Sequence, residues 1–115
     1  MAELFLDQRD RVCVLKVHGV LKQPDADQLS KTIKSATQTA DAVIIDCSQM
    51  TRIGSGGMRA MSRAHVDLKE SGKQLMIAGL KGDVRETFQI GGFDTVLQLS
   101  ADVEAAQNKC AARLR

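Results

Sequence analysis

The sequence predicts an α/β fold built on a mixed, mainly parallel β-sheet with about four helices. Three observations predict it. Short β-prone runs alternate with stretches in which apolar residues recur every three or four positions. One run, Ala42-Val43-Ile44-Ile45, contains no polar residue, which suits a central parallel strand covered on both faces. Glycines and the single proline stand between the periodic segments, where a chain must turn. Repeated strand-helix-strand units require right-handed crossovers and hence parallel pairing.

Leu4 to Leu6 supply an early edge strand, Gln8 to Arg11 the turn, and Val12, Val14, Leu15 and Val17 the second strand. Gly19 and Pro24 punctuate the path to the first helix, where Asp25 and Gln28 have capping-box spacing. Ala26, Leu29, Ile33, Ala36 and Ala40 then give that helix one apolar face. The Ala42–Ile45 strand ends at Asp46 and Cys47. A Gly-rich bend, Thr51 to Gly57, leads into a second helix with Met58, Met61, Ala64, His65 and Leu68 facing inward and Gly72 as its stop. Leu75 to Ala78 form another buried strand, followed by a turn from Gly79 to Gly82. Asp83 and Glu86 repeat the capping-box spacing, Val84 and Phe88 face inward, and Gly91-Gly92 end the third helix. Phe93, Val96, Leu97 and Leu99 return the chain to the sheet. Ser100 is the expected N-cap of a last helix carrying Val103, Ala106 and Cys110.

The chain has 115 residues, the size of one domain spanning 1–115. Apolar residues at 43% and charged residues at 26% can fill a core and solvate a surface. Sixteen Lys and Arg against fourteen Asp and Glu leave a formal charge of +2, and there is no Tyr or Trp, which argues against a nucleic-acid partner. Cys13, Cys47 and Cys110 are too far apart for a zinc knuckle or redox pair and read as small hydrophobes in a reducing compartment. The first ten residues lack the basic start and long apolar run of a secretion signal, and no stretch suits membrane insertion. A cytoplasmic location is expected.

The segment from Val43 to Met58 carries most of the functional information. Ser55 is expected at or near a helix cap, where its hydroxyl can meet an unpaired backbone N–H. A phosphate there would face free N–H groups and the positive end of the helix, with Arg52 and Arg59 within reach. Gly56 and Gly57 are expected to leave space for a partner. The Gly54-Gly56-Gly57 cluster has neither dinucleotide nor triphosphate-loop spacing, so no cofactor is expected. Ser55 lacks a GxSxG elbow. His18 and His65, the only histidines, read as structural, so no catalytic residue is expected. No compact His, Cys or carboxylate set suggests a metal. Asp46 reads as an organiser of the strand-end loop that could also shape a partner-facing surface. Met58, Met61 and Met76 read as core, and Met50 lies beside the proposed interface.

The element order, the turn Gly54-Ser55-Gly56-Gly57 and the later Gly91-Gly92-Phe93 resemble the STAS domains of bacterial anti-sigma factor antagonists, from about Val12 to Cys110. The resemblance implies a single STAS-like domain that binds an anti-sigma factor or serine kinase of the switch type. In that family an Asp-Ser-Ser/Thr-Gly motif starts the corresponding helix, and its first Ser is phosphorylated by the partner. Ser55 and Gly57 match the motif, while Gly54 stands for the Asp and Gly56 for the second hydroxyl. In the turn Gly19 to Lys22, Lys22 stands where members often carry an acid.

The implied mechanism is partner switching: the unmodified chain binds and releases a sigma factor, phosphorylation weakens the complex, and a phosphatase restores it. The implied partner-binding residues are Lys22, Asp46, Met50, Arg52, Gly54, Ser55, Gly56, Gly57 and Arg59. The alternative keeps the fold and makes the chain a non-phosphorylated STAS scaffold or an accessory subunit of a transport ATPase, for example in lipid transport.

Overall fold

The computed structural model describes residues 2–113. Among these the chain forms β1 (Ala2–Arg9), β2 (Val12–Leu21), α1 (Gln23–Ala36), β3 (Ala42–Asp46), β4 (Met50–Ile53), α2 (Ser55–Glu70), β5 (Gln74–Ala78), α3 (Gly82–Ile90), a 3-10 turn (Phe93–Thr95), β6 (Gln98–Ser100) and α4 (Val103–Arg113). The sheet order is β1-β2-β3-β5-β6. β1 runs antiparallel to β2, from Ala2 opposite Gly19 to Arg9 opposite Val12. The pairings of β2 with β3, β3 with β5 and β5 with β6 are parallel. This is the mixed, mainly parallel α/β sheet with four helices that the sequence predicts.

The period-two alternation of β2 explains the layering. Cys13, Leu15 and Val17 join Val43, Ile45, Leu75 and Ile77 beneath α1, α2 and α3, which contribute Leu29, Ile33, Met61, Leu68 and Phe88. Val12 and Val14 join Ile44 and Met76 on the opposite face, where α4 packs through Ala106 and Cys110. Each large apolar side chain taken fully out of water stabilises the fold by about 1.5–3 kcal/mol before entropy is counted. Ala42 to Ile45 are wholly buried because β3 is central and covered from both sides.

Several boundaries differ from the sequence expectation for local physical reasons. The segment Met50–Ile53, expected as part of a bend, is a strand. It pairs in parallel with Gly19, Val20 and Leu21 after β2 has already paired with β3, and its register shifts between Gly19 and Val20. Only Met50 and Ile53 are buried, so β4 shows no alternation that periodicity could detect. β2 likewise continues through Gly19 to Leu21. The N-cap of α1 is Lys22 rather than Asp25. Asp25 sits at N3, and its carboxylate accepts the Lys22 backbone N–H at 3.3 Å. Lys81 occupies the N-cap of α3 with no side-chain bond. Ser100 ends β6, and Asp102 caps α4 by accepting the Ala105 N–H at 2.8 Å.

His65 is half-buried as expected of an inward side chain, and its Nδ1 has no hydrogen-bond partner among the described residues. His18 packs edge-to-face on Phe5 at 4.9 Å between ring centroids. Among the described residues, no helix is long and apolar enough to cross a membrane, and no cluster of His, Cys, Asp and Glu could hold a metal.

Candidate functional site

The chain leaves β3 through a turn closed by Asp46, whose Oδ1 accepts the Ser48 N–H at 2.9 Å. It then runs along β2 as β4, and the Gly54 N–H donates to the Leu21 carbonyl at 2.8 Å. This bond anchors the start of α2 against the end of β2. Gly54 is the N-cap, in extended backbone with φ −94° and ψ 173°, and offers no side-chain cap. Ser55 is therefore the first helical residue and not the cap, which corrects the expected capping role of its hydroxyl. Its side chain is exposed. The first intrahelical bond runs from the Met58 N–H to the Gly54 carbonyl at 3.1 Å. The N–H groups of Ser55, Gly56 and Gly57 precede it, no acid lies in the first turn, and the helix dipole leaves this end positive.

The two glycines after Ser55 do not open space for a partner. Both are buried, and they let α2 approach the end of β2 and the start of α1 closely. A Cβ on Gly57 would lie 2.9 Å from both Ile53 Cγ1 and Leu21 Cδ2. One on Gly56 would lie 3.0 Å from the Gln23 Cα. By contrast a Cβ on Gly54 would meet only the Leu21 carbonyl oxygen at 3.7 Å and the Lys22 Cα at 3.9 Å, which is ordinary contact. The same packing puts exposed Lys22 next to Gly54.

Of the nine residues predicted to meet a partner, Lys22, Arg52, Ser55 and Arg59 are exposed and Gly54 is partly so. Asp46 and Met50 are buried, at 7% and 4% exposure. Asp46 lines a groove on the α4 side of the sheet with Lys16, His18 and Glu104, so its place is that of a turn organiser. Met50 packs in the core under the helices. Gly56 and Gly57 act from beneath the surface by permitting close packing.

Ser55 and Arg59 share a cleft of about 500 Å³ between the start of α2 and the end of α3, with Met58, Ile90 and Phe93 among its walls. Arg52 lies in an adjoining depression whose walls also include Asp83 and Glu86 of α3. Arg59 is the arginine placed beside Ser55. Sequence reasoning missed Ile90, which is 80% exposed at the cleft's edge. Its signal was available: Ile90 falls out of phase with Val84 and Phe88, the inward pair of α3. Among the described residues that line this cleft there is no His, Asp or Glu.

A family model of the STAS domain matches residues 4–106, and the chain belongs to the STAS domain family. It is 27% identical over 105 residues to the Bordetella bronchiseptica protein BtrV, named as an anti-sigma factor antagonist, with 90% of each chain covered. An anti-sigma factor antagonist from Mycobacterium paratuberculosis superposes with a TM-score of 0.86 at 19% identity, covering 96% of this chain and 95% of that one. The Bacillus cell-fate determinant SpoIIAA superposes in its phosphorylated form with a TM-score of 0.70 at 16% identity, covering 98% of this chain and all of that one.

Proposed function

We propose that the chain is an anti-sigma factor antagonist: it binds an anti-sigma factor or switch-type serine kinase through the exposed start of α2, and phosphorylation of Ser55 weakens that complex. Lys22, Gly54, Ser55 and Arg59 form the surface presented to the partner, with Arg52 at its margin. The observation that carries the reading is an exposed Ser55 at the positive end of α2, beside Arg59, in a cleft with no His, Asp or Glu among the described residues that line it. The kinase supplies ATP and the base. The Ser55 oxygen bonds to the γ-phosphorus, the bond to ADP breaks, and the hydroxyl proton leaves to the kinase. The product adds roughly two negative charges at an interface that must shed water, which disfavours the complex. Arg59 and the first-turn N–H groups keep the modified helix folded. A phosphatase resets the surface. The chain itself performs no catalysis and acts in the cytoplasm as one domain.

The absence of a carboxylate at Gly54 and of a hydroxyl at Gly56 favours a second reading, a constitutive STAS scaffold or transport-ATPase subunit that binds unmodified. One experiment separates the two. The native protein is co-purified with its ATPase partner, incubated with ATP, and weighed intact. One added phosphoryl group on wild type and none on Ser55→Ala, with loss of the complex, supports the switch. Tight binding with no mass gain refutes the switch and leaves the scaffold.

A further inference from the structure

We propose that β1 is a self-association edge, at which a second copy of this chain adds its own β1 antiparallel across a two-fold axis at Leu6. Among the described residues β1 is a terminal strand of the sheet, bordered only by β2. All eight of its residues pair with β2 without a bulge, so its outer row of N–H and C=O groups forms an unbroken template. The strand carries neither lysine nor proline, two devices that commonly block such edges.

The exposed apolar groups indicate how that edge is covered. Phe5 is 49% exposed and Leu6 51%, and as neighbours in a strand they point to opposite faces of the sheet. A helix laid on one face would cover only one of them. A strand added in the plane of the sheet flanks both.

Charge and the length of strand paired together select the register: a centre at Gln8 sets Asp7 against Arg9 of the second copy, but it pairs only Asp7 to Arg9. A two-fold axis perpendicular to the sheet pairs residues lying on the same face, so it must lie midway between a β1 residue and the same residue of the second copy. Centred on Phe5, it sets Glu3 against Asp7 of the second copy, twice. Centred on Asp7, it opposes two aspartates. Centred on Leu4, it leaves Asp7 to Arg9 unpaired. Centred on Leu6, it sets Glu3 against Arg9 of the second copy twice, opposes the two Leu6 side chains, and brings the two Phe5 rings into diagonal reach. Arg9 is suited to this role. Its Nε holds Asp7 at 2.7 Å and its Nη1 holds Gln107 Oε1 at 2.9 Å, which leaves Nη2 for the incoming Glu3.

The test is sedimentation of the full chain over a concentration series reaching millimolar, with circular dichroism and thermal melts to establish that each variant is folded. Wild type dimerises, and Leu6→Lys stays monomeric. Glu3→Arg and Arg9→Glu each weaken the dimer by about tenfold, since every change acts twice across the axis. The double variant Glu3→Arg/Arg9→Glu recovers wild-type association, and an equimolar mixture of the two single variants forms a heterodimer tighter than either alone. A wild type that remains monomeric overturns the proposal and leaves the edge to another protein's strand. A dimer indifferent to the charge reversals, or one the double variant does not rescue, overturns the Leu6-centred pairing.

Discussion

Restoring the family motif at its two glycines should have opposite effects on stability. At Gly56 a Cβ would stand 3.0 Å from the Gln23 Cα and closer still to the Gln23 side-chain oxygen. The amide end can rotate away, but the Cα moves only if the start of α1 shifts. Overpacking of this kind costs about 1–3 kcal/mol. Replacing glycine by serine in a helix returns about 0.5 kcal/mol of propensity. Gly56→Ser is therefore expected to lose about 1–2 kcal/mol. At Gly54 the backbone is extended and the nearest atoms lie 3.7 and 3.9 Å from a Cβ. An introduced carboxylate caps α2 and faces its positive end beside Lys22, so Gly54→Asp is expected to gain about 0.5–1 kcal/mol. Urea titrations and thermal melts should separate the two variants by roughly 2 kcal/mol, or about 6–12 °C. A Gly56→Ser protein as stable as wild type, or a Gly54→Asp protein less stable, would refute the close-packing argument.

Ser55→Ala should remain within about 0.5 kcal/mol of wild type because Ser55 is exposed and caps nothing, whereas Asp102→Ala, which removes the bond to the Ala105 N–H, should cost about 1 kcal/mol. Comparison of their urea midpoints checks both. The hydrogen bond from Arg11 holds the Asp41 carboxyl below its ordinary range, with the nearby Arg11 and Lys73 charges adding to the effect. Its stabilisation is complete above the unfolded value of about 3.9 and is lost as pH falls through the lower folded value. Asp41→Asn should therefore destabilise at neutral pH and converge with wild type in strong acid. Urea midpoints measured against pH test that sign. Burial, aided by Asp46, pushes the Cys47 thiol far up, and Cys13 and Cys110 are also buried. A thiol reagent should label the native protein only as fast as it unfolds. Rapid labelling under native conditions would contradict this.

The helices and main strands were legible because each has its own periodicity. Ala26, Leu29, Ile33 and Ala36 mark the buried face of α1, and Ala42 to Ile45 are all buried in β3. β4 was not legible: four residues with two exposed at the centre owe their extension to the free side of β2 near Leu21. Caps were read one or a few positions away from where they form, as with Ser100 for Asp102, because several polar residues compete and tertiary approach decides among them. At the candidate site, Ser55 and Arg59 were found from the helix start. Asp46 and Met50 were included because they are near in sequence, yet one closes a turn toward the α4 side and the other fills the core.

What the amino-acid order alone determined is the alternation of strands and helices, the glycine-rich entry to α2 and the serine placed there, since these follow from local backbone preference and from which side chains avoid water. Only the tertiary structure decided which glycines yield space and which are filled. A Cβ at Gly54 would meet Leu21 and Lys22 only at ordinary contact distance, while Gly56 and Gly57 lie tightly against Gln23, Leu21 and Ile53. It likewise decided that Arg59 and Ile90 flank Ser55, because that cleft forms between two helices whose approach depends on the shared core beneath them.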